Sequence, residues 1–489
     1  MAGQQHNAGG AAPNGAPFDL IVVGAGSAGM PTALFAAERG ARVLLLDHAP
    51  AIGGSLWVAT GQMSAAGTRL QAERGIADSP QLHFDDVMRI SRGTANPDLV
   101  RLAVTNAAQT FDWLLDQGFA PLPEHPVKGF GHEPYSVPRY YWGEKGALSI
   151  KDVLVPLVER AVAAGKITLR LEHEATGLLT SPDGAVTGVR ARDRDGDEHE
   201  FSGRFVVLAC GGYAANPALF EELNGYPQFN AGPYPYGRGA GLGLGQSVGG
   251  YVRGAENIFI NFGTLFDTDE FPAKAIGRVE HFPERRQPWE IYVNVNGARF
   301  IREDIESVDA REMSLLQQPG YRYWIVFDQA ILDRAPPIVV GWTREQMREA
   351  FARGGPAFLS AGSLDALAVC AGIGAQDLAA AVEGYNYGVR TGNDFLGRVH
   401  RPAPISTPPF YAIRMQASSI SSALGLAVDA GLRVIRRDGS PVPNLYAAGE
   451  LLGSSQTMGK AACGGMMVTP ALTFGRLLGQ HLIPLETRA

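Results

Sequence analysis

The stretch Phe18 to Asp47 constrains this chain more than any other. Leu20-Ile21-Val22-Val23 is a short unbroken apolar run, the pattern of a parallel strand buried on both faces. Gly24-x-Gly26-x-x-Gly29 follows at once. A helical stretch carrying Ala33, Leu34 and Ala37 then stops at Gly40. A second apolar run, Val43 to Leu46, ends at Asp47, 23 residues after the first glycine. Strand, glycine turn, helix and strand make one βαβ unit. Its glycines let the backbone approach a pyrophosphate and aim amides at it from a helix N-terminus. Asp47 sits near the roughly 20-residue distance expected of a ribose-binding acid.

The whole chain, at 489 residues, is long enough for two or three domains. Its 45% hydrophobic and 19% charged residues exclude a mostly disordered chain or a collagen-like repeat. A formal net charge of -7 and the lack of any basic run argue against nucleic acid as a partner. Cys210, Cys370 and Cys463 lie far apart, which speaks against a disulfide framework, a zinc ribbon or any other metal centre built on cysteine pairs. Residues 1–17 hold no Lys, Arg, Leu, Ile, Val or Phe and read as a disordered tail, neither signal nor transit peptide. No apolar segment reaches transmembrane length, so the expected compartment is the cytoplasm.

Helical periodicity predicts a helix from about Asp98 to Gln117, closed by Gly118, and another from Ser149, whose spacing to Asp152 fits a capping box, to Gly165. Ile167–Leu171, Val186–Val189 and Phe205–Ala209 read as strands, an antiparallel excursion in an α/β half. From about Gly250 to Pro408 aromatics, prolines and charges mix without a βαβ rhythm, which suggests an inserted second domain. After Pro408 the strand-then-glycine texture returns, in Leu426-Ala427-Val428 and in Leu445-Tyr446-Ala447-Ala448-Gly449-Glu450. The domain expectation is therefore 18–250, then 251–408, then 409–489 completing the first domain.

Further glycine elements extend the first one. Gly53-Gly54-Ser55 comes soon after Asp47, as a cofactor longer than NAD requires. A strand enters Gly211-Gly212, and the last element ends at Gly449-Glu450. In this order the four elements resemble the fumarate reductase and 3-ketosteroid dehydrogenase superfamily of FAD enzymes. Asn294-Val295-Asn296-Gly297-x-Arg299-Phe300, Tyr323-Trp324-x-x-Phe327-Asp328, Pro408-Pro409-Phe410-Tyr411 and Thr473-Phe474-Gly475-Arg476 fit the same resemblance, which runs from Phe18 nearly to the end. It implies a Rossmann-like, GR2-type FAD-binding domain interrupted by an α+β capping domain that carries substrate. The FAD contacts it implies are Gly24, Gly26, Ser27, Ala28, Gly29, Asp47, His48, Gly53, Gly54, Ser55, Thr60, Gly61, Gln62, Met63, Ala175, Gly211, Gly212, Gly449, Glu450, Met467 and Val468. Thr469 as N-cap and Pro470 as first helical residue would start a helix aimed at the flavin pyrimidine ring, where its positive end stabilises charge. The family's covalent-flavin histidine motif is absent, so FAD is expected to bind non-covalently.

The substrate end departs from the dicarboxylate pattern. Aligned on this family, its substrate histidine falls on Ser421, its carboxylate-binding arginine on Ala462 and its catalytic arginine on Ser307, with Arg302 and Arg311 nearby. Small groups in place of ions leave no clamp for two carboxylates. The ketone dehydrogenases of the superfamily polarise a ketone with a hydroxyl and a glycine amide, while a tyrosine takes the α-proton. The glycine falls on Gly465; the hydroxyl-bearing tyrosine falls on Ala461. Tyr135-Ser-Val-Pro-Arg139-Tyr140-Tyr141-Trp142 resembles the family's N-terminal active-site tyrosines, with aromatic packing as the alternative. Tyr140 or Tyr141 is then the expected base, acidified by Arg139. Tyr234 and Tyr236 read as packing first; Arg139, Lys145 or Lys460 could hold one remote carboxylate. The resulting expectation is an FAD-dependent desaturase of a cyclic ketone, a 3-oxosteroid or an oxocyclohexane carboxylate. The electron acceptor is left open among oxygen, a quinone and a carrier. The alternatives are an enoate or fumarate-type reductase or a hydroxy- or tricarboxylate dehydrogenase using Arg302 or Arg311, and a non-catalytic flavin-binding protein.

Overall fold

The computed structural model describes residues 17–129, 132–258 and 260–484; the expected N-terminal tail lies almost wholly outside them. β1 (Phe18–Val23) and β2 (Val43–Leu46) pair in parallel around α1 (Gly29–Glu38). β1 is also parallel to Glu198–Leu208, that strand to Pro441–Ala447, and β2 to Ile167–Arg170. Leu20 to Val22 and Val43 to Leu46 are buried, as continuous apolar runs in a two-sided sheet require. The antiparallel excursion is present: Glu174–Thr180 pairs with Val186–Arg192, and that strand with Glu198–Leu208.

The helix expected near 98–117 spans Pro97–Asp116, with Asn96 as N-cap and Pro97 in the first turn. Two helix starts differ from expectation. The helix expected at Ser149 begins at Ala147, and the Ser149 hydroxyl accepts from the Lys145 amide inside the first turn. The last helix is Val468–His481 with Met467 at its N-cap, so Thr469 and Pro470 fall inside the first turn. The Thr469 hydroxyl accepts from the Ser64 amide at 2.8 Å instead, tying this helix to the strand Met63–Ser64. A hydroxyl with a tertiary donor on offer has no need to cap its own helix.

A second, antiparallel sheet runs Asn261–Thr264, Phe410–Ser418, Arg322–Asp328, Ile291–Val293, with Phe358–Ala361 also on Phe410–Ser418. Its central strand, Phe410–Ser418, is buried throughout and lies beyond the expected boundary at Pro408, so the second unit's sheet extends to Ser418. Arg299, in the Asn294–Phe300 motif, is fully enclosed there. It pairs with Glu303 and Asp394, each at 2.7 Å, and is structural. Among the described residues no helix is long and apolar enough to cross a membrane.

Candidate functional site

A long cleft of about 400 Å³ follows the C-terminal ends of the parallel strands and continues toward the second sheet. Asp47, His48 and Ala175 line one end, Gly24, Gly26, Gly54 and Gly449 the middle, and Thr60 to Gln62, Ala462 to Gly465, Met467 and Val468 the other. Elongated shape, a glycine-lined middle and a helix N-terminus at the far end suit an extended dinucleotide.

The glycines carry distinct duties. A Cβ on Gly54 would stand 2.8 Å from the Gly26 Cα, so the two turns approach backbone to backbone. A Cβ on Gly29 would overlap the Gly24 carbonyl oxygen, so α1 can seat its first turn on the strand end only without a side chain there. Asp47 accepts the Ala25 amide at 2.6 Å and the Ala49 amide at 2.8 Å. Burial nevertheless pushes its carboxyl up from the usual range, a pull those two bonds only partly offset. Glu450 is likewise raised by burial while accepting from the Ser422 amide.

Most of the expected cofactor contacts line the cleft. Three do not. Gly29 packs against β1, Gly53 lies behind the Gly54 turn, and Met63 is buried in a strand pair with Tyr141. The expected catalytic set divides. Tyr140 and Gly465 line the flavin end, whereas Tyr141 is fully buried on the opposite side of its strand. Its hydroxyl pairs with Thr68 at 2.8 Å and its ring packs on Phe111. Alternating strand geometry allows only one of two adjacent tyrosines to face the cleft. Tyr141→Phe is therefore expected to cost about 1 kcal/mol of stability in urea unfolding and to leave the flavin's reaction rate with substrate unchanged.

Ser307 and Arg302 are outside the cleft. Ser307 caps the helix Val308–Leu315 by accepting the Ala310 amide; Arg302 is partly exposed beside Asp304 and Gly397. Arg311 is buried within the second unit, donating to the carbonyls of His281 and Ile305. The tyrosine-acidifying role expected of Arg139 also fails. Its guanidinium is enclosed by Asp78 and Asp86, at 2.7 and 2.5 Å. Burial raises the Tyr140 hydroxyl well above its ordinary value, with no charge lowering it. Lys145 pairs with Asp152 at the surface, and neither it nor Lys460 lines the cleft. Tyr234 and Tyr236 do line it, Tyr236 edge-on to His48.

The substrate end holds a residue that the sequence reading passed over. His132 lines the cleft, and its Nδ1 lies 3.1 Å from Asp309 Oδ1. His132, Asp309 and Glu312 each bring one donor atom within 4.8 Å of the others. Burial opposes charge on His132, but the Asp309 bond and the nearby Glu312 carboxyl prevail and raise its pKa. A lone histidine in irregular chain, 177 residues from its partner, carries no periodic or spacing signal.

A protein-family pattern described as an FAD binding domain matches residues 19–466. The NADH:fumarate oxidoreductase of Klebsiella pneumoniae is 28% identical over 95% of this chain. The chain spans 47% of that relative's length. The 4-oxocyclohexanecarboxylate 2-dehydrogenase of Sinomonas cyclohexanicum is 25% identical, covering 95% of this chain and 92% of its own. In fold, the chain is similar to the 3-ketosteroid delta1-dehydrogenase of Sterolibacterium denitrificans solved with 1,4-androstadiene-3,17-dione. The TM-score is 0.73 at 21% identity, over 96% of this chain and 99% of the other.

Proposed function

The chain belongs to the FAD-binding superfamily of fumarate reductases and 3-ketosteroid dehydrogenases, oxidoreductases acting on CH–CH groups, and from that premise we propose that its substrate carries one activating carbonyl. The supporting observation is the lining of the flavin end: Ile420, Ser421, Tyr140, Ala462, Cys463, Gly464 and Gly465, with His132 its one cationic side chain among the described residues. At this end two carboxylates would enter with no arginine to meet them, at the desolvation cost of unpaired charge; the cleft's Arg238 belongs to the loop of Tyr236, which packs on His48 at the opposite end. A cyclic ketone of the 3-oxosteroid or oxocyclohexane carboxylate type asks for one polarising contact, which the Gly465 amide would supply.

FAD would be held along the glycine turns, on this reading without a covalent bond, and when bound would supply the two-electron acceptor or donor. Asp47 would receive the ribose hydroxyls, and the turn at Gly24 to Gly29 the pyrophosphate. The start of Val468–His481 would place positive backbone charge by the isoalloxazine. The cleft wall at Ile420, Tyr140 and Cys463 would exclude water.

A second reading, reduction of the corresponding enone, is favoured by His132. A histidine whose charged form is stabilised is better set to give a proton than to take one. Anaerobic mixing separates the cases. Bleaching of oxidised flavin by 4-oxocyclohexanecarboxylate or a saturated 3-oxosteroid supports desaturation. Reoxidation of dithionite-reduced flavin by the matching enone supports reduction. Fumarate or succinate outcompeting both, in rate per concentration, overturns the single-carbonyl reading.

A further inference from the structure

We propose that His132, held by Asp309 with Glu312 behind it, exchanges the proton at the substrate's α-carbon, in place of a tyrosine or an arginine. The inference rests on the single-carbonyl reading for its substrate but stands on its own geometry.

Four observations carry it. His132 reaches the cleft from the segment before Tyr135, while Asp309 and Glu312 come from the helix Val308–Leu315, so the cluster joins the two units at the substrate end. With Nδ1 engaged by Asp309, Nε2 is the nitrogen left for substrate. Asp309 is only 4% exposed, and its Oδ2 is buried with no hydrogen-bond partner among the described residues. An oxygen in that state is costly unless it takes part in something further. Finally, burial raises Glu312, packed against the pair, to about 8, while the charge of His132 pulls it back down, so the two groups titrate together. Arg311, on the same helix, opposes charge on His132, and Cys463, from the flavin loop, has its thiol raised by burial and by Asp309. The cleft's other histidines, His48 and His173, lie beside Asp47 at the opposite end.

The step balances in either direction. In desaturation Nε2 would take the α-proton and the electron pair of that C–H bond would become the C=C bond as the β-hydrogen leaves with its pair, the two-electron acceptor being what FAD would supply when bound. In reduction the imidazolium returns the proton as the β-carbon receives hydride. His132 is a catalytic residue in this scheme; Asp309 and Glu312 are positioning residues.

The test uses FAD-loaded protein. Histidine-labelled NMR, with His132 assigned by its loss in His132→Gln, should give a titration midpoint above the ordinary value of about 6.5. Asp309→Asn should lower it by about one unit or more. His132→Gln should keep the flavin spectrum and FAD affinity and lose about 10²–10⁴-fold in flavin bleaching by 4-oxocyclohexanecarboxylate, while Tyr140→Phe loses less than about tenfold. The wild-type bleaching rate should rise with pH through the NMR midpoint. Full bleaching by His132→Gln, or a midpoint that Asp309→Asn leaves in place, overturns the proposal. If fumarate rather than a ketone is turned over, the substrate reading fails, and the His132→Gln to wild-type ratio on fumarate still decides the role of His132.

Discussion

Gly29→Ala should purify without flavin. The added methyl would overlap the Gly24 carbonyl oxygen, and the Val22 side chain stands 3.3 Å away, so strand end and helix start must part. Overpacking in a buried contact costs about 1–3 kcal/mol, and more where backbone must move. The amides at the start of α1 would shift off the pyrophosphate position. Affinity for FAD should fall by more than about tenfold, the equivalent of ~1.4 kcal/mol. The measurement is the flavin-to-protein absorbance ratio after gel filtration, followed by titration with added FAD. Wild-type occupancy and affinity in the variant would refute the close-packing role. Gly40→Ala makes a suitable control. Its methyl meets nothing within 4 Å, so the cost is limited to its positive φ, at +85°, and the flavin should stay bound.

Arg139→Met is the variant expected to damage the fold most. Asp78 and Asp86 both face the guanidinium, which is fully enclosed, as are Arg139 and Asp78 by surrounding chain. Removing the cation leaves buried Asp78 without an ion partner among the described residues and Asp86 with Arg89 alone, at about 3–5 kcal/mol in urea unfolding. Acid unfolding gives an independent readout. Burial alone would raise Asp86, but bonds from Ser136 and Arg89 and the charge of Arg139 prevail, and its pKa is lowered on folding. A carboxyl lowered on folding adds stability above its unfolded value, near 3.9, and loses it as pH falls through the folded value. Without Arg139 that contribution shrinks, so the acid midpoint should move to higher pH. An unchanged midpoint and an unchanged urea curve would show the network to be dispensable.

The first βαβ unit was legible because glycine spacing, apolar runs and a terminal acid are all local, and each constrains the backbone directly. The helix Pro97–Asp116 was legible for the same reason, with Asn96-Pro97 in front and Gly118 behind. Phe410–Ser418 was misplaced because an unbroken buried strand looks alike in either sheet; only its pairing with Arg322–Asp328, some 90 residues earlier, assigns it. Thr469-Pro470 has the composition of a helix start, yet the threonine's partner, Ser64, lies 405 residues away. Tyr140 and Tyr141 could not be told apart without knowing which face of a two-residue strand meets the cleft. Ser421 and Ala462 were singled out from the resemblance, and both line the cleft; His132 at the same end was not, since a partner on a distant helix leaves no local mark.

The path by which the chain leaves the second sheet has a consequence for the cleft. Phe410–Ser418 ends in the antiparallel sheet, and by Ser422 the chain is anchored on the other unit, its hydroxyl accepting the Tyr213 amide and its own amide bonded to Glu450. On this crossing only residues 419–421 lie between the two, and Ile420 and Ser421 are themselves wall. Any rotation of one sheet against the other would therefore displace part of the cleft's wall, so the shape of what binds there and the angle between the sheets would be mechanically linked.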